Sequence, residues 1–492
     1  MRVFTTMPPK IKSRLKKTAA YAAVAVFWIL VWQIASVVVN QEILLPSPAA
    51  VLSVLQDLIV TVEFWIAIFA TIIRILLGFA LGVVFGTAMA AATYKFTTVR
   101  MLFYPFLSAV RAVPVASFII LALVWFKTWQ LSVVVTFLMT VPVIWSNVFA
   151  GIKSTDPKLL EMGKVFGFGK MKMIRLIIIP AVFPFFISAT ATALGFAWKS
   201  GVAAEVIGAS SGTIGGQLYE SKIYLETPSM FAWTLTVILL SILLEKNFAA
   251  MTALTGKIKR RYMKPFKKAG QTVSAALSAL SKPPQIAKTG KKPLLSIQSI
   301  SKSYGKIRVL DNFSFNFPQS GIVYITGRSG SGKTTLLRLI AGLEAPDSGE
   351  INFNLINGGN SKISVVFQED RLLAKLNVLE NTSVASSAEA AQHQLAIAGL
   401  ADKMYSPVSD LSGGMVRRVS LARSLAYGGD LFLMDEPFKG IDEKSLAPIL
   451  KEIEKISRTT LVIIVTHDQL QPIKPIKSEN SKMITLVVPE EV

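Results

Sequence analysis

Residues 327–334 read Gly-Arg-Ser-Gly-Ser-Gly-Lys-Thr, the G-x-x-x-x-G-K-[ST] spacing of a phosphate-binding loop. Each residue type there answers a need of a polyphosphate. Gly327, Gly330 and Gly332 let backbone N–H groups approach phosphate oxygens, and Ser329 belongs to the same cradle. Lys333 supplies a point charge to the β- and γ-phosphates, and the Thr334 hydroxyl suits Mg²⁺. Thr335 leads into a helix whose N-terminal dipole favours the anion. The chemistry is therefore binding of ATP or GTP. Further on, the apolar run from Leu431 ends in Asp435-Glu436. Asp435 is expected to hold Mg²⁺, directly or through water, and Glu436 to polarise the attacking water as general base. A strand that merely ends in surface acids is the bland alternative.

These residues need a parallel α/β frame. Ile322–Thr326 reads as a strand ahead of the loop and Thr335–Ala341 as the helix after it. From Leu294 onward, apolar strands alternate with helical segments, as such a domain requires. Cysteine is absent and only His393 and His467 are present, which excludes disulfides and thiolate or histidine-rich metal sites. His393 falls in a polar helical segment and reads as exposed.

The preceding half is of another kind. The chain of 492 residues is 52% hydrophobic, with a mean hydropathy of +0.51. Apolar stretches at 21–39, 66–93, 102–125, 130–150, 181–203 and 230–247 each approach the ~20 residues that cross a bilayer. The first follows a basic tail but lacks a small-residue cleavage site, so it reads as a retained helix. The net charge of +22 is concentrated in Lys10–Lys17, Lys153–Arg175 and Lys246–Lys292, beside apolar runs. That distribution fits cytoplasmic loops of a membrane protein rather than a nucleic-acid surface. Alternate loops carry Glu63, Lys127, Glu220 and Glu226 without a basic excess, which puts both termini and the phosphate loop inside.

Glu161, Gly167, Ile177 and Pro180 stand at the spacing E-x5-G-x9-I-x2-P. This resembles the "EAA" loop of binding-protein-dependent ABC importers, although Met162 and Gly163 replace its alanines. The resemblance implies a short helix that docks on the ATPase, with Glu161 and Gly167 in a coupling role. Gly167 is expected to turn the chain and Pro180 to open the next membrane helix. Arg111-Ala-Val-Pro114, the run Ala197–Gly208 and Tyr224–Pro228 look like permeases for nitrate, sulfonates, taurine and thiamine or riboflavin precursors. Charges at membrane depth are costly. Arg74 and Arg111 are expected to pair with carbonyls or snorkel, Glu205 to sit in an outer loop, and Trp198 to anchor at the interface; Lys199 is a weaker candidate for an anion path.

The downstream half resembles an ABC ATPase. On that resemblance Tyr304 stacks on adenine, Gln368 contacts Mg²⁺ or water, and Ser412, Gly413 and Gly414 form the signature after Leu411, with Met415 replacing its usual Gln. Asp442 matches the D-loop, where Lys439-Gly440 replaces a common Ser-Ala, and His467 matches the switch histidine on the γ-phosphate. The family's signature closes on nucleotide held by another copy, so a homodimer is implied.

The expected architecture is thus multi-domain: a basic cytoplasmic tail (1–20), an α-helical transmembrane permease domain of six helices (21–250), a basic flexible linker (251–292) and an α/β P-loop ABC nucleotide-binding domain (293–492). The linker reads as extended, with a short helix around Thr272–Leu280. The expected function is ATP- and Mg²⁺-dependent import of a small organic anion or vitamin precursor across the bacterial cytoplasmic membrane. Expected partners are a second copy, an extracytoplasmic substrate-binding protein and membrane lipid, with no nucleic acid. An exporter half-transporter, or a signalling or remodelling subunit that moves no solute, are the rival readings.

Overall fold

The computed structural model describes residues 9–262, 294–328, 330–354, 361–466 and 482–485. The chain divides into two compact units, Met1–Ser154 with Ala181–Gly256, and Thr155–Pro180 with Lys257–Val492.

The first unit is helical: α1 (Pro9–Val39), α2 (Pro48–Ile59), α3 (Val62–Lys95), α4 (Thr97–Ala112), α5 (Val115–Ala122) and α6 (Thr128–Lys153) come first. After α7 (Pro157–Val165) and α8 (Lys170–Met173) of the second unit follow α9 (Ile179–Ile207), α10 (Ile214–Ile223) and α11 (Thr227–Tyr262). Among the described residues, five helical stretches are long and apolar enough to cross a membrane, at 20–39, 62–95, 128–153, 170–207 and 227–252. The expected straight span at 102–125 is instead α4 and α5, bent by 107°. Pro114 causes the break: its ring disfavours helical backbone in the residue before it, and Val113 is extended at φ −74°, ψ 129°.

Close helix packing in this unit follows from small residues. A Cβ on Gly78 would lie 2.4 Å from the Val133 carbonyl oxygen, and one on Gly82 2.6 Å from Thr140 Cβ. The Gly78-x3-Gly82-x3-Gly86 stripe therefore lets α3 and α6 approach as only small residues permit.

The expectations for charged residues here divide. Arg111 Nη2 donates to the Pro142 carbonyl at 2.8 Å, as expected, whereas Arg74 Nη1 donates to the Ser210 hydroxyl at 2.9 Å. Glu205 is not in a loop: it is buried in α9, accepting from Thr71 Oγ1 at 2.7 Å. Trp198 is also buried, and its indole N–H donates to the Val237 carbonyl at 3.2 Å, so it is a packing residue rather than an interface anchor. Lys199 is exposed.

Two further boundaries move. Residues 251–262 continue α11 rather than forming an extended tether, because Ala, Leu, Met, Lys and Arg support a helix there and the next proline is Pro265. Helix α1 starts at Pro9, inside the expected tail. The remainder of the linker, with its short helix around Thr272–Leu280, lies outside the described residues.

The second unit is an α/β domain. An antiparallel sheet has the order β2-β1-β4, from β1 (Leu294–Tyr304), β2 (Ile307–Asn316) and β4 (Ser348–Asn354). A parallel sheet has the order β5-β6-β7-β3-β8, from β3 (Gly321–Thr326), β5 (Ile363–Val366), β6 (Leu431–Asp435), β7 (Leu461–Val465) and β8 (Lys482–Thr485). Its central strands are near-continuous apolar runs because both faces are covered. Val323, Ile325, Leu433 and Ile463 face one core layer, and Ile322, Tyr324, Phe432, Met434 and Ile464 the other. In register, Asp435 of β6 pairs with Val465 of β7, which pairs with Ile325 of β3. The acids and the phosphate loop thereby leave the sheet at the same carboxyl edge. Helices α12 (Lys333–Ile340), α13 (Val378–Ser383), α14 (Ala388–Ile397), α15 (Gly413–Tyr427) and α16 (Glu443–Ser457) complete the domain.

Candidate active site and coupling segment

The phosphate loop bends as its glycines allow. Gly330 and Gly332 adopt φ of 84° and 77°, and a Cβ on Gly332 would come within 2.9 Å of the Val309 carbonyl oxygen. Gly332 caps α12, which aims the helix N-terminus back at the loop. Lys333 Nζ donates to the carbonyls of Gly327 and Arg328, each at 2.7 Å. Burial pulls the Lys333 ammonium below the usual lysine range, and the Asp435 and Glu436 charges oppose that shift. Thr334 Oγ1 donates to Asp435 Oδ2 at 2.8 Å, and Thr335 follows, half-buried, on α12. Ser329 lies outside the described residues.

Glu436 directly follows β6, at a left-handed φ of 46°. Its N–H donates to the Val465 carbonyl at 3.0 Å. Gln368 Nε2 reaches Glu436 Oε1 at 3.4 Å, and Lys439, the D-loop departure, brings its ammonium to 3.6 Å from Glu436 Oε2. Thr334, Asp435 and Gln368 together offer the hard oxygen donors that a small divalent cation takes. Tyr304 ends β1, 46% exposed as a residue, and its hydroxyl donates to the Glu344 carboxylate.

Ser412 caps α15, accepting from Met415 N at 3.4 Å, and both Ser412 and Gly413 are exposed. Gly414 permits a close approach: a Cβ there would lie 2.5 Å from the Gly440 carbonyl oxygen. Asp442 caps α16 through Ser445 N at 2.9 Å. His467 lies outside the described residues, and His393 is exposed on α14.

The segment that carries Glu161 and Gly167 packs within the second unit. Asp156 caps α7, Pro157 occupies its first turn, and Gly167 turns the chain at φ 65°. Glu161 takes a two-armed arginine grip: Arg338 Nη2 at 2.7 Å and Nη1 at 3.1 Å, and Arg371 Nη1 at 2.9 Å. The hydrogen-bonded Arg338 guanidinium is the largest influence holding the Glu161 carboxyl below the usual carboxylate range. The two departures from the motif have packing reasons. Met162 is fully buried in the core of the second unit, and a Cβ on Gly163 would sit 2.7 Å from Met173 Sδ.

Pro180 is the second residue of α9, as expected, but α9 continues from α8 through a π-helical turn at Ile174–Ile178, so the helical stretch as a whole begins at Lys170. The wider turn accommodates the residue that lacks an N–H. Arg338 and Arg371 were not singled out from the sequence. The available signal was their offset, five residues after Lys333 and three after Gln368, since both motifs were already in view.

The fold and site thus define an ATPase joined to a multi-pass membrane permease. Comparison with known proteins agrees: residues 310–439 match the family described as "ABC transporter", and residues 82–250 match "Binding-protein-dependent transport system inner membrane component". An aliphatic sulfonates import ATP-binding protein of Paracoccus denitrificans is 37% identical over 36% of this chain and 74% of its own length. A counterpart in Pectobacterium atrosepticum is 38% identical over 35% of this chain and 68% of its own length. A sulfate/thiosulfate import ATP-binding protein of Bacillus cereus is 36% identical over 36% of this chain and 55% of its own length. The chain belongs to the ABC transporter family, as an importer with permease and ATPase on one polypeptide.

Proposed function

We propose that this chain imports a small organic anion or vitamin precursor across the bacterial cytoplasmic membrane, as a homodimer fed by a separate extracytoplasmic substrate-binding protein. Both termini and the ATPase face the cytoplasm, as the basic loops favour. At the ATPase, Tyr304 stacks on the base, and Lys333 exchanges its two carbonyl partners for phosphate oxygens. Thr334, Asp435 and Gln368 fit Mg²⁺, which when bound neutralises phosphate charge. Glu436 takes the proton of the attacking water, with His467 expected at the γ-phosphate. Ser412, Gly413 and Gly414 close over nucleotide held by the second copy, with Asp442 beside them.

The observation that carries the reading is the grip on Glu161. One arginine of that grip follows the phosphate loop and the other follows Gln368, so nucleotide-driven shifts at either reach the segment that leads into the membrane helices. The full chain in proteoliposomes with enclosed ATP tests it. A co-purifying binding protein carrying radiolabelled alkanesulfonate should stimulate hydrolysis about tenfold and load the vesicles with label. Label leaving pre-loaded vesicles instead would favour an exporter. Hydrolysis indifferent to the binding protein, with no uptake, would favour a signalling or remodelling subunit.

A further inference from the structure

Arg417 lies on α15, the helix capped by Ser412, and none of the motifs includes its role. Its side chain is only 5% exposed. Nη2 donates to the carbonyls of Asp435 and Glu436, each at 2.7 Å, and Nε to that of Pro437 at 3.0 Å. Nη1 donates to the carbonyl of Phe367 at 2.6 Å and more weakly to that of Gln368 at 3.3 Å, and also to Asp370 Oδ1 at 3.0 Å. One planar fork therefore grips the backbone on both sides of Glu436 and at Gln368. A left-handed conformation is disfavoured for a residue with a Cβ and persists only where its surroundings over-determine it. At Glu436 the N–H is fixed by Val465 and the carbonyl by Arg417.

We propose that Arg417 is a positioning residue for hydrolysis. It locks the strained backbone that aims Glu436, keeps Gln368 in register with it, and ties both to the helix that presents the signature. The inference rests on the reading of Glu436 as general base. Lysine cannot replace the guanidinium here, because a single ammonium does not span acceptors spread around a planar fork.

The test uses the full-length chain in nanodiscs, carrying Arg417→Lys or Arg417→Gln. Displacing a reacting group by about 1 Å costs about 100-fold in rate, so kcat should fall between about 10- and 100-fold in both variants. The KM for ATP should move less than about threefold, with the thermal midpoint kept within about 3 °C. Adding Arg417→Lys to Glu436→Gln should bring far less than the loss it causes alone, because the main positioned group is already gone. Normal kcat in both Arg417 variants beside an inactive Glu436→Gln overturns the inference alone. An additive loss in the double variant overturns it too, as does a fall in kcat that tracks a lowered midpoint in both variants. Near-normal hydrolysis by Glu436→Gln by itself overturns the base assignment, and the inference falls with it.

Discussion

At the scale of single residues, Glu436 combines a mostly buried carboxylate, 11% exposed, with a backbone conformation that side chains rarely adopt. Glu436→Gln keeps shape and the contact with Gln368 while removing the base. General-base catalysis contributes about 10²–10⁴-fold, so turnover should drop by that range while ATP binding persists. Filter trapping of labelled ATP together with steady-state hydrolysis checks this. Retained turnover, or lost binding, counts against the assignment.

The same scale explains what could be read from the sequence. Lys333, Thr334 and the glycines were legible because eight consecutive residues carry most of the phosphate-binding geometry themselves. Asp435 and Glu436 were legible because an apolar run that stops at two adjacent acids marks the carboxyl end of a buried strand. Arg417 was not, since five of its six acceptors are backbone carbonyls, which leave no trace in residue identity. Arg338 was not, because Glu161 lies 177 residues away from it along the chain. Glu205 was misplaced for a related reason: its partner Thr71 is 134 residues distant, and nothing local marks the pairing.

Among the elements, α7 is short, and charge as well as packing holds it: Glu161 between two arginines, with Lys158 to Glu369 at 2.6 Å on the exposed side. Glu161→Gln should leave basal ATP hydrolysis within about twofold yet cut cargo-stimulated uptake about tenfold, because hydrogen bonds to charged groups are the stronger ones. Uptake unchanged in that variant would remove the coupling role. The pH dependence follows from the direction of the shift. Folding lowers the Glu161 carboxyl from its ordinary 4.5, so its contribution is complete above that value and is lost as pH falls through the lowered one. Hydrogen-exchange protection of residues 157–165 due to Glu161 should therefore stay flat from neutral pH down to about 5. A loss of protection already at pH 6 would assign it to another group. Hydropathy alone also missed the elbow between α4 and α5, since a window average over 102–125 is blind to the backbone constraint that Pro114 imposes on Val113.

For the whole molecule, the question is where the second half of each nucleotide site comes from. Within one chain Ser412 caps its own helix and, like Gly413, is exposed, an arrangement that fits a donor surface presented to a partner. In the proposed homodimer, one permease and one ATPase per chain give one pore and two complete sites. The absence of cysteine makes this directly testable, because an introduced pair is the only pair that can react. In the double variant Arg328→Cys with Ser412→Cys, oxidation in the presence of ATP should produce a band near twice 53.6 kDa that reductant reverses. Each single variant should stay at monomer mobility, since neither position is expected to meet its own counterpart across the two-fold. A disulfide formed within one chain, visible as a compacted monomer, would mean that signature and phosphate loop meet in cis, and the homodimeric site would have to be abandoned. ATP should accelerate the inter-chain product, because nucleotide bridges the two surfaces and raises their effective concentration.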